Sequence, residues 1–186
     1  MTYRIHGLIS RFARQRRASV AVEFAMVAPA MLTMFFGTVE LSSAIAVNRK
    51  VTMVARTMSD LVSQSSTVTD NDLTNFTTTA KAMMTPYSAT PLNTTVSELY
   101  VDPNTMTAKV KWSKGTAPRG FDTTVAVPTA LKISGTYLIY AETDYTYKPA
   151  VGYIISASLG VKLSDFTYTR PRISLCVLYG GTVCPQ

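Results

Sequence analysis

The sequence predicts an α+β fold: a long N-terminal helix that is first a transmembrane span and then a spine, a second short helix, and an antiparallel sheet of about four strands. Three observations carry this assignment. Residues 24–39 form a run of 16 without a charge. Apolar residues then recur at spacings of three and four as far as Leu61. From about Thr94 onward the apolar period falls to two, the mark of half-buried strands.

Composition bounds the partners. Of 186 residues, 47% are apolar and only 16% charged, which is low for a soluble protein and suits a membrane or assembly context. The net charge of +7 is uneven. Five arginines (Arg4, Arg11, Arg14, Arg16, Arg17) and no acid precede Ala18, while the remainder holds 13 basic and 11 acidic groups. A basic stretch confined to the first 17 residues, with no basic face interleaved with aromatics downstream, argues against a nucleic-acid partner.

In helical form residues 24–39 cover about 24 Å, and residues 19–47 about 44 Å, although the longer stretch includes Glu23 and Glu40. That is enough to cross a bilayer. Arg16 and Arg17 on the N-terminal flank hold that end in the cytoplasm and send the rest across. Three readings fit such a start. A cleavable secretory signal would use the Ala44-Ile45-Ala46 pattern and release a binding module beginning at Val47. Glu23 and Glu40 oppose it. A plain signal anchor explains everything except Glu23. A pilin-type precursor has a short basic leader cut off just before the apolar helix, with a carboxylate as the fifth residue after the cut.

The stretch Arg16-Arg17-Ala18-Ser19-Val20-Ala21-Val22-Glu23-Phe24-Ala25-Met26-Val27-Ala28-Pro29 resembles the start of TadE-type pseudopilins. Their motif is a small residue, a short Ala/Val run, Glu-Phe-Ala, an aliphatic residue and a proline. Tyr145-x-Tyr147-x-Pro149 and Arg170-Pro171-Arg172 add an echo in the C-terminal half. The resemblance implies a pilin-like α+β fold and a minor subunit of the tight-adherence (Flp) pilus machinery. Its implied partners are other pilins and pseudopilins of the apparatus, the inner membrane and a prepilin peptidase. It implies cleavage between Ala18 and Ser19, and assembly or registration roles for Glu23, Phe24 and Pro29. The chain departs from the family at Ala18, where glycine is usual.

These implications define three segments: a leader at 1–18, a transmembrane and spine helix at 19–64, and a periplasmic α+β domain at 65–186. Cleavage would free the amine of Ser19 about 6 Å along the helix axis from Glu23. The pair can form within one chain or with a neighbouring stem, offsetting the cost of a carboxylate in hydrocarbon. Pro29 removes the helix bond to the Ala25 carbonyl and is expected to kink the stem. Gly37 reads as a close-packing point. Beyond the span, Val47, Val51, Val54, Met58 and Leu61 share a helical face, with Arg49, Lys50, Arg56 and Asp60 elsewhere on the wheel.

Thr69-x-x-Asp72 is a helix-start signal, and Leu73, Phe76, Ala80 and Met83 give the second helix one apolar face. It must end by Thr85, ahead of Pro86. Strands follow at 94–101 and 105–112, joined by the turn Asp102-Pro103-Asn104. In the second of these, Met106, Ala108, Val110 and Trp112 alternate with polar residues and are expected on one face. After a loop at 113–119, a longer strand is expected at 132–147, with Ile133, Tyr137, Ile139 and Ala141 sharing a face. Another is expected at 161–168. Tyr137, Tyr140, Tyr145, Tyr147, Tyr153 and Tyr168 read as sheet packing, or alternatively as a subunit contact surface.

Cys176 and Cys184 would stay reduced in a cytosolic protein, and their spacing is too long for a zinc knuckle. Outside the cytosol they would form a disulfide, contributing roughly 2–3 kcal/mol. The exported placement implied by the resemblance favours the disulfide. No catalytic constellation is expected. The one histidine, His6, falls in the leader, and there is no Gly-rich phosphate loop. Asp70 and Asp72 sit where acids favour a helix N-terminus, and Glu142 and Asp144 are expected to face solvent. The sequence thus predicts a structural assembly subunit rather than an enzyme, with no cofactor, metal or small-molecule substrate.

Overall fold

The computed structural model describes residues 16–149, 160–181 and 184, and of 16–19 the backbone only. The chain divides into two compact units, Met1–Ser43 and Ala44–Gln186. Helix α1 (Arg16–Ser63) is the described part of the first unit, and its residues from Ala44 on belong to the second. The second unit continues with β1 (Thr67–Val68), α2 (Asp70–Met83), β2 (Leu92–Val101), β3 (Ala108–Gly115) and β4 (Thr124–Val125). A 3-10 turn (Thr129–Leu131) leads to β5 (Tyr137–Tyr147), β6 (Val161–Thr169) and β7 (Leu178–Tyr179). Five strands form an antiparallel sheet in the order β4-β3-β2-β5-β6, and β1 pairs with β7 in parallel. The four expected strands are β2, β3, β5 and β6. Strands β1, β4 and β7, two residues each, are too short to carry a readable period.

The spine half of α1 buries Val47, Val51, Val54, Ala55, Met58 and Val62 against one face of the sheet. Each fully buried valine contributes about 1.5–3 kcal/mol of transfer free energy. Val62, not the expected Leu61, completes the stripe; Leu61 is half-buried. At about 100° per residue Leu61 falls to one side of Val47 and Val62 to the other, and the buried Val51, Ala55 and Met58 all lie on the side of Val62.

Helix α2 starts as its local sequence demands. Thr69 N–H donates to Asp72 Oδ2 (2.9 Å) and Asp72 N–H donates to Thr69 Oγ1 (3.2 Å), a complete capping box. Leu73 and Ala80 are buried, and Phe76 and Met83 pack against the same core. At its other end Lys50 Nζ, from α1, donates to the Met83 carbonyl (2.9 Å), placing a cation where the helix dipole favours one.

The central strands β2 and β5 are buried on both faces, and a β-bulge interrupts the pairing of β2 with β3. Glu98 pairs with Trp112, but Leu99 pairs with Val110, so Lys111 is an extra residue on β3. Trp112 therefore joins Val96, Ile139 and Ala141 in the core against α1, while Val110 and Ala108 turn to the other side. There they meet Leu99, Val101, Leu138 and Tyr140, covered by Val125, Val127 and Leu131. The expectation that Met106, Ala108, Val110 and Trp112 share a face is thus overturned. Met106 lies in the turn with φ 53 and is exposed, because Asp102 organises residues 102–107. The Asp102 carboxylate accepts from the Asn104 N–H (2.8 Å), and Asp102 exchanges backbone bonds with Met106 and Thr107. The long strand likewise begins at Tyr137 rather than 132, since Ile133 is held in a turn by bonds to Leu131 and from Thr136.

Gly115 closes β3 at φ 139, and a Cβ there would collide with the Thr94 carbonyl. Gly115→Ala is expected to destabilise the second unit by about 2 kcal/mol, measured by denaturant unfolding, with an unchanged Cm counting against this account.

Candidate functional site

The expected site residues lie at the start of α1. Ala18 and Ser19 are on its backbone, and Glu23 follows Ser19 by four residues, so the two positions share a face. The leader (residues 1–15, with His6) lies outside the described residues, as do the side chains of Arg16, Arg17, Ala18 and Ser19. Glu23 is exposed, and Phe24 is 69% exposed. Val20, Val22, Met26, Val27, Met31, Leu32, Met34, Phe35, Phe36 and Val39 are exposed with it. An all-round apolar helix surface of this extent needs a non-aqueous surrounding or an apolar partner. Helix residues Val20–Ser63 are long and apolar enough to cross a membrane.

Two hydroxyls adapt this stretch to such a setting. Thr33 Oγ1 donates to the Pro29 carbonyl and Thr38 Oγ1 to the Met34 carbonyl, both at 2.8 Å. Each polar group is thereby satisfied within the helix, as hydrocarbon requires. Pro29 lies inside α1 and offers no N–H to the Ala25 carbonyl. Ala44 and Ala46 also lie inside α1, immediately ahead of the fully buried Val47.

The second unit holds a feature the sequence reading missed. Glu98, in mid-β2, is only 3% exposed. Its Oε1 accepts the Val177 N–H (2.6 Å), and the Trp112 ring N–H donates to the Val177 carbonyl (2.8 Å). Both backbone groups of one C-terminal residue are thus held by side chains of the sheet. Burial pushes the Glu98 carboxyl up to about 7, with the bond from the Val177 N–H and the nearby Trp112 N–H offsetting part of the shift. Period-two reading does not single out Glu98, because apolar residues fall on both parities of β2: Leu92 and Val96 on one, Leu99 and Val101 on the other.

Around this clamp, residues 172–179 staple the domain. The Arg172 N–H donates to the Ser63 carbonyl, and the Leu178 N–H to the Ser66 carbonyl. Arg172 also pairs with Asp60. The Tyr179 hydroxyl donates to Asp70 (2.6 Å), holding that carboxyl below its usual range, with Lys114 adding to the effect. Asp70 and Asp72 therefore serve a tyrosine contact and a helix cap. Cys176 and Cys184 are joined by a disulfide with Cα atoms 6.0 Å apart.

Glu142 is not solvent-facing as expected. Arg119 grips it through Nε (2.8 Å) and Nη2 (2.6 Å), and the Tyr140 hydroxyl donates to it (3.0 Å). The Arg119 segment follows Gly115 and folds over this face, a long-range placement that the strand pattern does not encode. Asp144 pairs with Lys162 at the surface (3.4 Å). A small polar cavity of about 170 Å³ beside Arg119 and Glu142 is also lined by Asn93, Thr95, Thr116 and Asp144. Tyr137, Tyr140, Tyr145 and Tyr147 are buried in sheet packing; Tyr153 lies outside the described residues. Among the described residues no group of three or more His, Cys, Asp or Glu could hold a metal ion.

The family model described as TadE-like protein matches residues 18–58. The match begins at Ala18, includes Glu23, Phe24 and Pro29, and runs through the spine to Met58. No curated protein and no solved structure matches the chain.

Proposed function

We propose that the protein is a minor pseudopilin, a structural assembly subunit of a tight-adherence (Flp, type IVc) pilus system. The observation that carries this reading is the register of Ala18, Ser19, Glu23, Phe24 and Pro29 at the head of an exposed apolar helix, inside the TadE-like match. Arg16 and Arg17 keep the leader, residues 1–18, in the cytoplasm, where a prepilin peptidase removes it. The stem anchors the subunit in the inner membrane and packs against other pilin-like stems. Residues 65–186 lie in the periplasm, an oxidising setting that suits the Cys176–Cys184 disulfide. The working contacts are protein–protein and protein–lipid, so no substrate or cofactor enters.

The new N-terminus supplies the charge that Glu23 answers. An ammonium at Ser19 and the carboxylate one helical turn later are i, i+4 neighbours. In a poorly screened setting their pairing selects the register between stems more than it adds stability. Release after Ala46 is the competing reading, and the interior position of Ala44 and Ala46 in α1 weighs against it. Mass spectrometry of the mature N-terminus separates the outcomes. Ser19 is the expected first residue; Val47 would indicate a secreted module, and Met1 or Thr2 an uncleaved anchor.

A further inference from the structure

We infer that residues 172–179 form a pH-sensitive latch, closed over the sheet when Glu98 is protonated and loosened when it ionises. The geometry has three parts. Val177 is fully buried, and its N–H and carbonyl are taken by Glu98 and by Trp112. The Cys176–Cys184 disulfide ties down the residue next to Val177. Trp112, the single tryptophan of the chain, also lies 5.6 Å from the Tyr179 ring, so the clamp spans β3 and β7.

The surroundings of Glu98 give the ionised form little to balance it. From β5 it faces Tyr137, whose own hydroxyl is pushed up to about 12, mainly by burial and partly by Glu98. From β3 come Trp112 and the bulged Lys111, whose ammonium lies over the Tyr100 and Phe121 rings at 5.4 and 5.6 Å. From α1 the buried polar groups are Ser59 and Ser63. Among the described residues no ion pair reaches Glu98. A carboxylate formed here gains the Val177 N–H but loses its hydration, and burial dominates.

The sign follows from linkage. A carboxyl held up to about 7 when enclosed, against 4.5 when solvated, favours the closed form at low pH. That preference is complete below about 4.5 and is lost as pH rises to about 7. Opening the latch hydrates the carboxylate, so the open population is expected to rise on the order of a hundredfold between pH 5 and pH 8.

The test uses the full chain in detergent micelles with the disulfide intact. Trp112 emission and amide exchange of residues 173–181, corrected for the intrinsic pH dependence of exchange, are followed from pH 5 to pH 8.5. The expected result is a red shift and a loss of protection with a common midpoint near 7, both absent in Glu98→Gln. Flat emission and flat corrected exchange in the unsubstituted protein overturn the latch, whatever the variant does. A transition that persists in Glu98→Gln overturns the assignment to Glu98. Should that variant fail to fold, the rate at which the buried Cys176 becomes reducible by a phosphine decides. It is expected to rise at least tenfold across the same midpoint, and a constant rate refutes the proposal.

Discussion

Glu23→Ala is expected to leave the chain inserted in the membrane and to abolish its incorporation into the pilus apparatus. Insertion is safe because the substitution removes a carboxylate from the head of an apolar run, a change favourable by about 2.5–3.5 kcal/mol if the site lies at mid-bilayer and less near the interface. Orientation is safe because Arg16 and Arg17 are untouched. Under the proposed processing, what is lost is the partner of the Ser19 amine, and with it the charge pairing that would distinguish one stem register from another. A helix of alanines, valines and methionines can slide by a turn against a similar helix at little cost, since lipid is as apolar as the neighbouring stem. Membrane fractionation and counts of surface pili by electron microscopy give the two readouts. Unchanged fractionation with at least a tenfold fall in pili is the expected pair; normal piliation in the variant sinks the pairing role.

The second large effect is expected at Trp112, in the core of the second unit. Trp112→Ala should cost about 4 kcal/mol of unfolding free energy. Three losses combine: the indole leaves a void in the core formed with Val96 and Ile139, the Val177 carbonyl loses its donor, and Tyr179 loses its ring contact. Against a typical total of about 5–15 kcal/mol, that loss leaves the domain marginal. Chemical denaturation followed by circular dichroism checks it, with Trp112→Phe losing less because only the hydrogen bond and part of the volume go. A loss under about 1 kcal/mol in Trp112→Ala would mean the C-terminal segment holds its place without this side chain.

The parts legible in the sequence are those fixed by neighbours in the chain. The Thr69–Asp72 capping box and the apolar run from Phe24 to Val39 depend on contacts within one turn or on plain hydropathy. The stem motif is likewise contained in fourteen consecutive residues. What escaped depends on distant chain. Lys111 reads as an ordinary polar position in an alternating strand, and only its pairing with β2 shows that the alternation breaks there. Glu98 reads as a polar strand residue until residues 172–179 arrive to bury it, a closure that spans 79 positions in the chain. Glu142 is hidden for the same reason, by an arginine 23 residues away.

The bulge at Lys111 bears on how this domain finds one structure. Because it sends Trp112 to one core and Val110 to the other, a slip of β3 by a single residue would empty both cores at once. Competing pairings are therefore penalised on two fronts, and the penalty is built into the covalent order of three residues. Under the proposed topology such a domain crosses the membrane unfolded and collapses beside other chains still exposing strand edges. A strand that tolerates one register only is a safeguard against knitting itself into the wrong chain.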